Sequence, residues 1–159
     1  MDIQPIAPDH VVELVQAIFD NMLQMPCEPA DDQTTDDNTT PPNDRLVGCV
    51  QIQGDWAGAV EINTPMDLGR KAAAAMLMVD EADVSMEDIQ DTIAEISNMV
   101  GGSIKAILPG QSTLSLPSVA SGTGLDFKLA HVVHTQSVAL QSQGTDFSVN
   151  IRHLDPQPQ

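Results

Sequence analysis

Glu95 and Asn98 are the residues whose types and spacing first suggest chemistry. They stand three positions apart in the stretch DTIAEISNMVGGSIKAIL, residues 91–108, so on a helix both side chains project from one side, about one turn apart. Asparagine is poorly suited to a helix interior because its side chain competes for backbone hydrogen bonds. An amide that both donates and accepts, beside a carboxylate, therefore indicates either a solvated surface or a functional one.

The residues around this pair allow two interpretations. Gly101 and Gly102 each cost about 1 kcal/mol of helix propensity relative to alanine. They either let the helix pack tightly on a sheet, or leave the ridge beside Asn98 bare so that another backbone or a phosphoryl group can approach. Asp91, one turn before Glu95, either adds to an acidic patch that a partner contacts or is simply solvated.

Charge limits the chemistry that the chain can perform alone. The formal net charge is -17 and only 6 residues are Lys or Arg, which argues against binding to nucleic acid or anionic membranes. No cationic clamp for a phosphate is visible, so phosphate chemistry would need positive charge from a metal or a partner. Ser97 points elsewhere on the helix and has no histidine nearby, which argues against a hydrolytic triad.

The helix that carries Glu95 and Asn98 has clear signals at both ends. Ser85 and Asp88 resemble a capping box, which predicts a helix from 86 to about 107 that ends before Pro109-Gly110. Its core stripe is predicted to comprise Ile89, Ile93, Ile96, Val100 and Ile104. Asp91, Glu95, Asn98 and Gly102 are expected on the opposite side.

The rest of the chain reads as one domain, 1–159, of α/β (α+β) class: an antiparallel sheet flanked by helices. The predicted helices are 9–25, with Asp9 as N-cap and Pro26 as the stop, and 66–78. The predicted strands are 45–53 and 57–64, joined at Gly54-Asp55, followed by 112–119, 127–143 and 145–154. Trp56 is expected to pack in the core.

Two segments are predicted to lack regular structure. The acidic Pro/Thr/Asp-rich segment 28–44 is expected to be a flexible loop, and 155–159 a frayed tail. The acidic loop lacks the glycine and glutamate order of an EF-hand, which disfavours calcium. His131 and His134 would lie on opposite faces of a strand, which disfavours a metal pair.

The remaining composition indicates a compartment. Cys27 and Cys49 are expected to be buried thiols in a reducing environment rather than a disulfide framework. No run of apolar residues approaches the roughly 18 of a membrane span, and no signal-peptide pattern opens the chain. We therefore expect a cytoplasmic protein with no membrane segment.

The order of these features resembles one family. The chain is similar to the CheX-type chemotaxis phosphatases, relatives of CheC and FliY. The similarity lies in the order of an N-terminal helix, the WAGAVEINTP hairpin, an alanine-rich helix, the EISNMVGG helix, and then LPSV followed by further strands. The most specific part is Glu95-x-x-Asn98 with Gly101 three residues later. The sequence departs from the family at Gly102, where such proteins often have Asn, and in the acidic insert 28–44.

The resemblance implies a mechanism and partners. The implied substrate is the aspartyl phosphate of a CheY-like response-regulator receiver domain, which itself holds magnesium and a lysine, so no cofactor of the chain's own is expected. By resemblance, Asn98 aligns the attacking water and Glu95 pairs with the receiver lysine. Asp91, Gly101 and Gly102 are the candidate partner-binding residues, and a homodimer through sheet edges within 112–154 is implied. The alternatives are a noncatalytic interaction module and a structural protein of the flagellar switch.

Overall fold

The computed structural model describes residues 6–30, 45–122 and 131–154. The predicted fold class is confirmed: helices flank an antiparallel sheet. The helices are α1 (Pro8–Ile18), α2 (Met66–Leu77) and α3 (Met86–Ile107). The strands are β1 (Cys27–Pro29), β2 (Arg45–Gly54), β3 (Gly58–Pro65), β4 (Ser112–Leu114), β5 (Ser118–Gly122), β6 (Val132–Ser142) and β7 (Thr145–Leu154).

The seven strands in the described part of the chain form one sheet in the order β1-β6-β7-β3-β2-β4, with β5 also paired to β2. The β2–β3 and β6–β7 hairpins predicted from the alternating pattern are both present. The second hairpin turns at Gln143 and Gly144, which both have positive φ, 53° and 73°. β2 and β3 are interior strands, paired on both sides, and most of their residues are buried. A helix packed on them is therefore held by a well-buried part of the fold.

The helices cover one face of the sheet. Side chains alternate between the two faces along a strand, so every second residue of β3 and β7 points to the helices. These residues are buried in the same core as the buried side of the helices: Val60 and Ile62 in β3, and Phe147, Val149 and Ile151 in β7. The predicted core stripe of α3 is confirmed, since Ile89, Ile93, Ile96, Val100 and Ile104 are all buried.

The N-terminal helix differs from its prediction. Asp9 is not the N-cap: Ala7 precedes the helix without a side-chain cap, and Pro8 occupies the first turn, where its missing N–H costs nothing. The α-helix ends at Ile18 and continues as one π-helical turn, Phe19–Leu23, closed by Gln24 in a left-handed conformation. The chain therefore leaves the helix before Pro26 rather than because of it.

Two strand predictions also need correction. The loop predicted over 28–44 begins later, because Cys27–Pro29 forms an edge strand against Leu140–Ser142 of β6. The predicted strand 112–119 is split into β4 and β5 by residues 115–117. Residues 31–44 of the predicted loop, residues 127–130 of the predicted strand and the tail 155–159 lie outside the described residues. His131 precedes β6 instead of alternating with His134 within it.

Candidate functional site

The candidate site lies on α3, which packs closely on β2 at Gly48. A Cβ built on Gly48 of β2 would stand 2.1 Å from Ser97 Oγ and 2.9 Å from Ile93 Cγ2. Ser97 is fully buried and its hydroxyl donates a 2.7 Å hydrogen bond to the Ile93 carbonyl. The serine between the two candidate residues therefore belongs to the packing of the helix on the sheet, in agreement with its exclusion as a nucleophile.

The first turn of α3 is fixed by the predicted capping box. The Asp88 N–H donates to Ser85 Oγ at 3.1 Å, and the Ser85 N–H donates to Asp88 Oδ2 at 3.0 Å. These two bonds satisfy donors that a helix start otherwise leaves unpaired. A helix of 22 residues that is capped at its start and buried along one side is a rigid support for the side chains on its other side.

The predicted exposed ridge is present. Asp91 and Glu95 are exposed, and Asn98 and Gly102 are partly exposed, on the side of α3 away from its core stripe. Within the described residues, the side chains of Glu95 and Asn98 make no hydrogen bond or ion pair. A carboxylate and an amide are thus presented one turn apart with their polar atoms available to a partner.

The two glycines occupy different environments. Gly101 is buried, and a Cβ there would lie 2.3 Å from Val50 Cγ2 and 3.3 Å from Leu114 Cδ1. Of the two interpretations of the glycines, Gly101 therefore fits tight packing of the helix on the sheet. Among the residues that the structure describes, only Leu114 Cδ2 lies near the Cβ position of Gly102, at 4.0 Å, so the bare stretch of ridge next to Asn98 belongs to Gly102.

The ridge is acidic at its N-terminal half. Glu87 and Asp88 in the first turn precede Asp91 and Glu95, and Lys105 is the basic residue of the last turn. An acidic ridge repels a free phosphate and favours a partner that brings positive charge to the contact. This arrangement fits a carboxylate that contacts a cation on another protein.

The cysteines and the tryptophan that the sequence analysis considered lie in or against the core. Cys27 and Cys49 are buried free thiols, as predicted, and burial raises the pKa of each to about 11. Among the described residues, no cluster of three or more His, Cys, Asp or Glu side chains could hold a metal ion. Trp56 packs against the core, as predicted.

His153 is the residue near the hairpin that the sequence did not single out. Its ring stacks on Trp56 with centroids 4.9 Å apart, and it is 8% exposed. Its Nδ1 is buried without a hydrogen-bond partner in the described structure. Burial, and secondarily the neighbouring His134, lowers the pKa of His153 below its ordinary value. The alternation along β7, Thr145–Leu154, could have indicated this inward position, because His153 falls on the same side as Phe147, Val149 and Ile151.

Comparison with known proteins gives a consistent result. The family model described as "Chemotaxis phosphatase CheX" matches residues 46–142, which include α3 and the strands on either side of it. No curated protein sequence matches the chain. None of the described helices is long and apolar enough to cross a membrane.

Solved structures extend the likeness to nearly the whole chain. CheX from Vibrio vulnificus is 18% identical, has a TM-score of 0.76, and is matched over 96% of this chain and 99% of its own. A CheX–CheY–BeF3–Mg2+ complex from Borrelia burgdorferi is 15% identical, with a TM-score of 0.62 over 97% of this chain and 100% of that one. FliY from Thermotoga maritima is 11% identical, with a TM-score of 0.57 over 96% and 92%. At these identities the likeness establishes the fold.

Proposed function

This chain belongs to the CheX family of chemotaxis phosphatases, and we propose that it hydrolyses the aspartyl phosphate of a CheY-like receiver domain. The observation that carries the proposal is the pair Glu95 and Asn98, which stand together on the exposed ridge of α3 without partners in the described chain. The chain contributes this pair, and the receiver contributes the phosphoryl group and the cations around it.

Asn98 is assigned the catalytic role. Hydrolysis of an acyl phosphate needs a water held in line with the phosphorus, on the side opposite the leaving carboxylate. A neutral amide suits this task because its oxygen accepts a hydrogen bond from the water without adding a charge that repels the phosphoryl oxygens. The gain comes from positioning, since the partly exposed amide is carried by a capped helix that is packed on the sheet.

Glu95 is assigned to the receiver lysine. Its side chain is exposed, one turn from Asn98, so a salt bridge to a lysine beside the phosphorylated aspartate would set the register of Asn98 over the phosphorus. The acidic residues toward the start of α3 would help to steer a cationic site onto the ridge. Asp91 and Gly102 are proposed as further contacts, and Gly101 supports them by fixing the height of the helix above the sheet.

Magnesium is assigned to the receiver. The Borrelia burgdorferi complex contains CheX, CheY, BeF3 and Mg2+ together, and BeF3 has the shape and charge of a phosphoryl group. A chain with 6 Lys and Arg residues against 23 Asp and Glu can take part in phosphoryl transfer if the partner supplies the cations. We therefore propose that the phosphatase needs no cofactor of its own. We also propose that it acts in the cytoplasm, a reducing compartment that suits the buried free thiols Cys27 and Cys49.

Two further assignments follow from the family resemblance. A homodimer is proposed through the strand edges within residues 112–154, because an uncovered edge otherwise invites nonspecific pairing. The alternative function is a noncatalytic module that binds a receiver and leaves its phosphate intact. The free pair Glu95 and Asn98 favours the enzyme, since a module that only binds has no need of an amide placed for water.

The experiment that separates these functions follows the lifetime of a phosphorylated CheY-like receiver in magnesium, with and without the protein. The enzyme shortens the lifetime in substoichiometric amounts. The interaction module forms a complex with the receiver and leaves the lifetime unchanged. The assay uses a panel of CheY-like receivers.

A further inference from the structure

The strand pairing beside α3 contains a bulge that the alternating sequence pattern does not reveal. Leu114 of β4 pairs with Ile52 of β2, and Ser118 of β5 pairs with Cys49. Residues 115–117 therefore stand opposite residues 50 and 51 alone, so the edge carries one residue more than β2. A bulge of this kind turns a side chain away from the direction that strict alternation would give it.

Hydrogen bonds hold the bulge in place. The Ser115 N–H donates to the Gln51 carbonyl at 2.9 Å. The Gln51 N–H donates to Ser115 Oγ at 2.8 Å, and the same hydroxyl donates to the Leu116 carbonyl at 3.0 Å. The serine side chain thus takes the place of a backbone acceptor in the ladder, which fixes the conformation at the residue where the extra length is inserted.

The bulge presents a leucine to solvent. The side chains before and after it, Leu114 and Val119, pack against the core, whereas Leu116 is 88% exposed. Removing a leucine side chain from water is favourable in free energy. A partner that covers Leu116 would gain that free energy, and the fold itself gains almost none of it.

The bulge lies next to the candidate site. Val50, opposite the bulge, contacts the position of Gly101, and Leu114 approaches both Gly101 and Gly102. Gly101 and Gly102 come one turn after Asn98. Leu116 comes two residues after Leu114. Asn98 and Leu116 are therefore separated by one helix turn, the contact between Gly102 and Leu114, and two residues of strand, which together span on the order of 20 Å at most. One face of a protein complex, at about 800 Å² per partner, would span both.

We propose that Leu116, presented by the Ser115 bulge, is the apolar anchor of the receiver interface. This inference rests on the proposed function, because the occupant is the same receiver whose phosphate meets Asn98. It assigns the β4–β5 edge to the receiver, which leaves β6 as the strand edge within 112–154 for the proposed homodimer. The ridge of α3 is polar and acidic, so it supplies orientation. Leu116 supplies the buried apolar contact that such interfaces need near a charged centre.

The test measures how tightly a CheY-like receiver loaded with Mg2+ and BeF3 binds to the wild type, Leu116→Ala and Met78→Ala, by calorimetry. Met78 is the matched control, since it is an apolar side chain 90% exposed at the end of α2. Thermal unfolding is recorded for each variant, and no change is expected because neither side chain is buried.

Leu116→Ala is expected to raise Kd about tenfold, and Met78→Ala to change it less than twofold. In the phosphate-decay assay Leu116→Ala should raise KM and leave kcat unchanged, because an anchor binds ground and transition states equally. An unchanged Kd in Leu116→Ala, or an equal rise in Met78→Ala, would overturn the inference.

The design separates this inference from the proposed function. If the wild type accelerates phosphate decay and Leu116→Ala binds as tightly as the wild type, the anchor is wrong and the phosphatase stands. If the wild type neither binds the loaded receiver nor accelerates decay with any receiver of the panel, the proposed function fails and the anchor fails with it.

Discussion

Gly101 of α3 lies directly against Val50 of β2, so closely that a Cβ on the glycine would stand 2.3 Å from Val50 Cγ2. For the neighbouring Gly102, the nearest atom outside its own helix in the described part of the chain is Leu114 Cδ2, 4.0 Å from the Cβ position. Of these two neighbouring positions, Gly101 therefore lets the helix pack closely on the sheet, and Gly102 keeps the ridge beside Asn98 accessible.

Gly101→Ala and Gly102→Ala are expected to change stability in opposite directions. The first forces α3 away from β2 and should destabilise the fold by about 1–3 kcal/mol. The second adds helix propensity in open space and should stabilise it by up to about 1 kcal/mol. Urea unfolding of both variants measures the difference, and equal effects of the two substitutions would contradict the packing described.

A buried carboxylate, Glu61, pairs with the partly exposed Arg152 on the face of the sheet opposite α3. Arg152 Nε and Nη2 donate to the two carboxylate oxygens of Glu61 at 2.9 and 3.0 Å, and Glu61 is 3% exposed. Arg152→Gln leaves a buried carboxylate without this partner and should cost about 3–5 kcal/mol of stability. At a temperature where the variant is folded, its phosphatase activity should equal that of the wild type, because the pair is remote from the ridge. Activity lost without any loss of stability would contradict this separation.

The long helix and its ridge could be predicted from sequence because their signals are local. The capping box at Ser85 and Asp88 and the 3.6-residue spacing of the core stripe depend on neighbours within a few positions. Glu95 and Asn98 then follow as residues of the opposite side. Their catalytic roles remain predictions, since they come from the family resemblance and not from the spacing.

The features that sequence reasoning missed depend on contacts between distant segments. β1 is three residues of edge strand whose pairing with β6 is set by the fold and not by its own Pro-containing sequence. The bulge at Ser115 arises from how this segment pairs with β2. The sequence STLSLPSV by itself has the pattern of one continuous strand. The burial of Gly101 likewise requires Val50, which lies in another element.

His153 is expected to make stability depend on pH. Its native pKa is lowered from 6.5, so between that lowered pKa and about pH 6.5 the unfolded chain binds a proton that the native state does not. The stability that neutral His153 contributes is fully present above pH 6.5 and is lost as the pH falls from there to the lowered native pKa.

The measurement is the free energy of unfolding in urea between pH 5 and pH 8. His153→Phe keeps an aromatic ring to stack on Trp56 and removes the titration, so its profile should be flatter than that of the wild type below about pH 6.5. His134→Gln is the control and should change the slope only slightly, since burial is the main cause of the lowered pKa. Parallel profiles for the wild type and His153→Phe would show that the slope has another origin.

Glu95→Gln tests the proposed salt bridge to the receiver. The variant keeps the size of the side chain and removes its charge, so the Kd for the loaded receiver should rise and its dependence on salt should weaken. Because Glu95 is exposed, stability should change by less than about 0.5 kcal/mol. The matched control is Asp91→Asn, one turn earlier, which should have the smaller effect. A larger effect at Asp91 would move the charged contact away from Glu95.

The central claim is that Asn98 positions the attacking water, and its most direct test is the decay rate of a phosphorylated receiver at saturating concentrations of the wild type and of Asn98→Ala. We predict that Asn98→Ala unfolds at the same urea concentration as the wild type and binds the BeF3-loaded receiver with similar affinity. Its acceleration of decay should fall about 100-fold or more. Full acceleration by folded, receiver-bound Asn98→Ala would contradict the account.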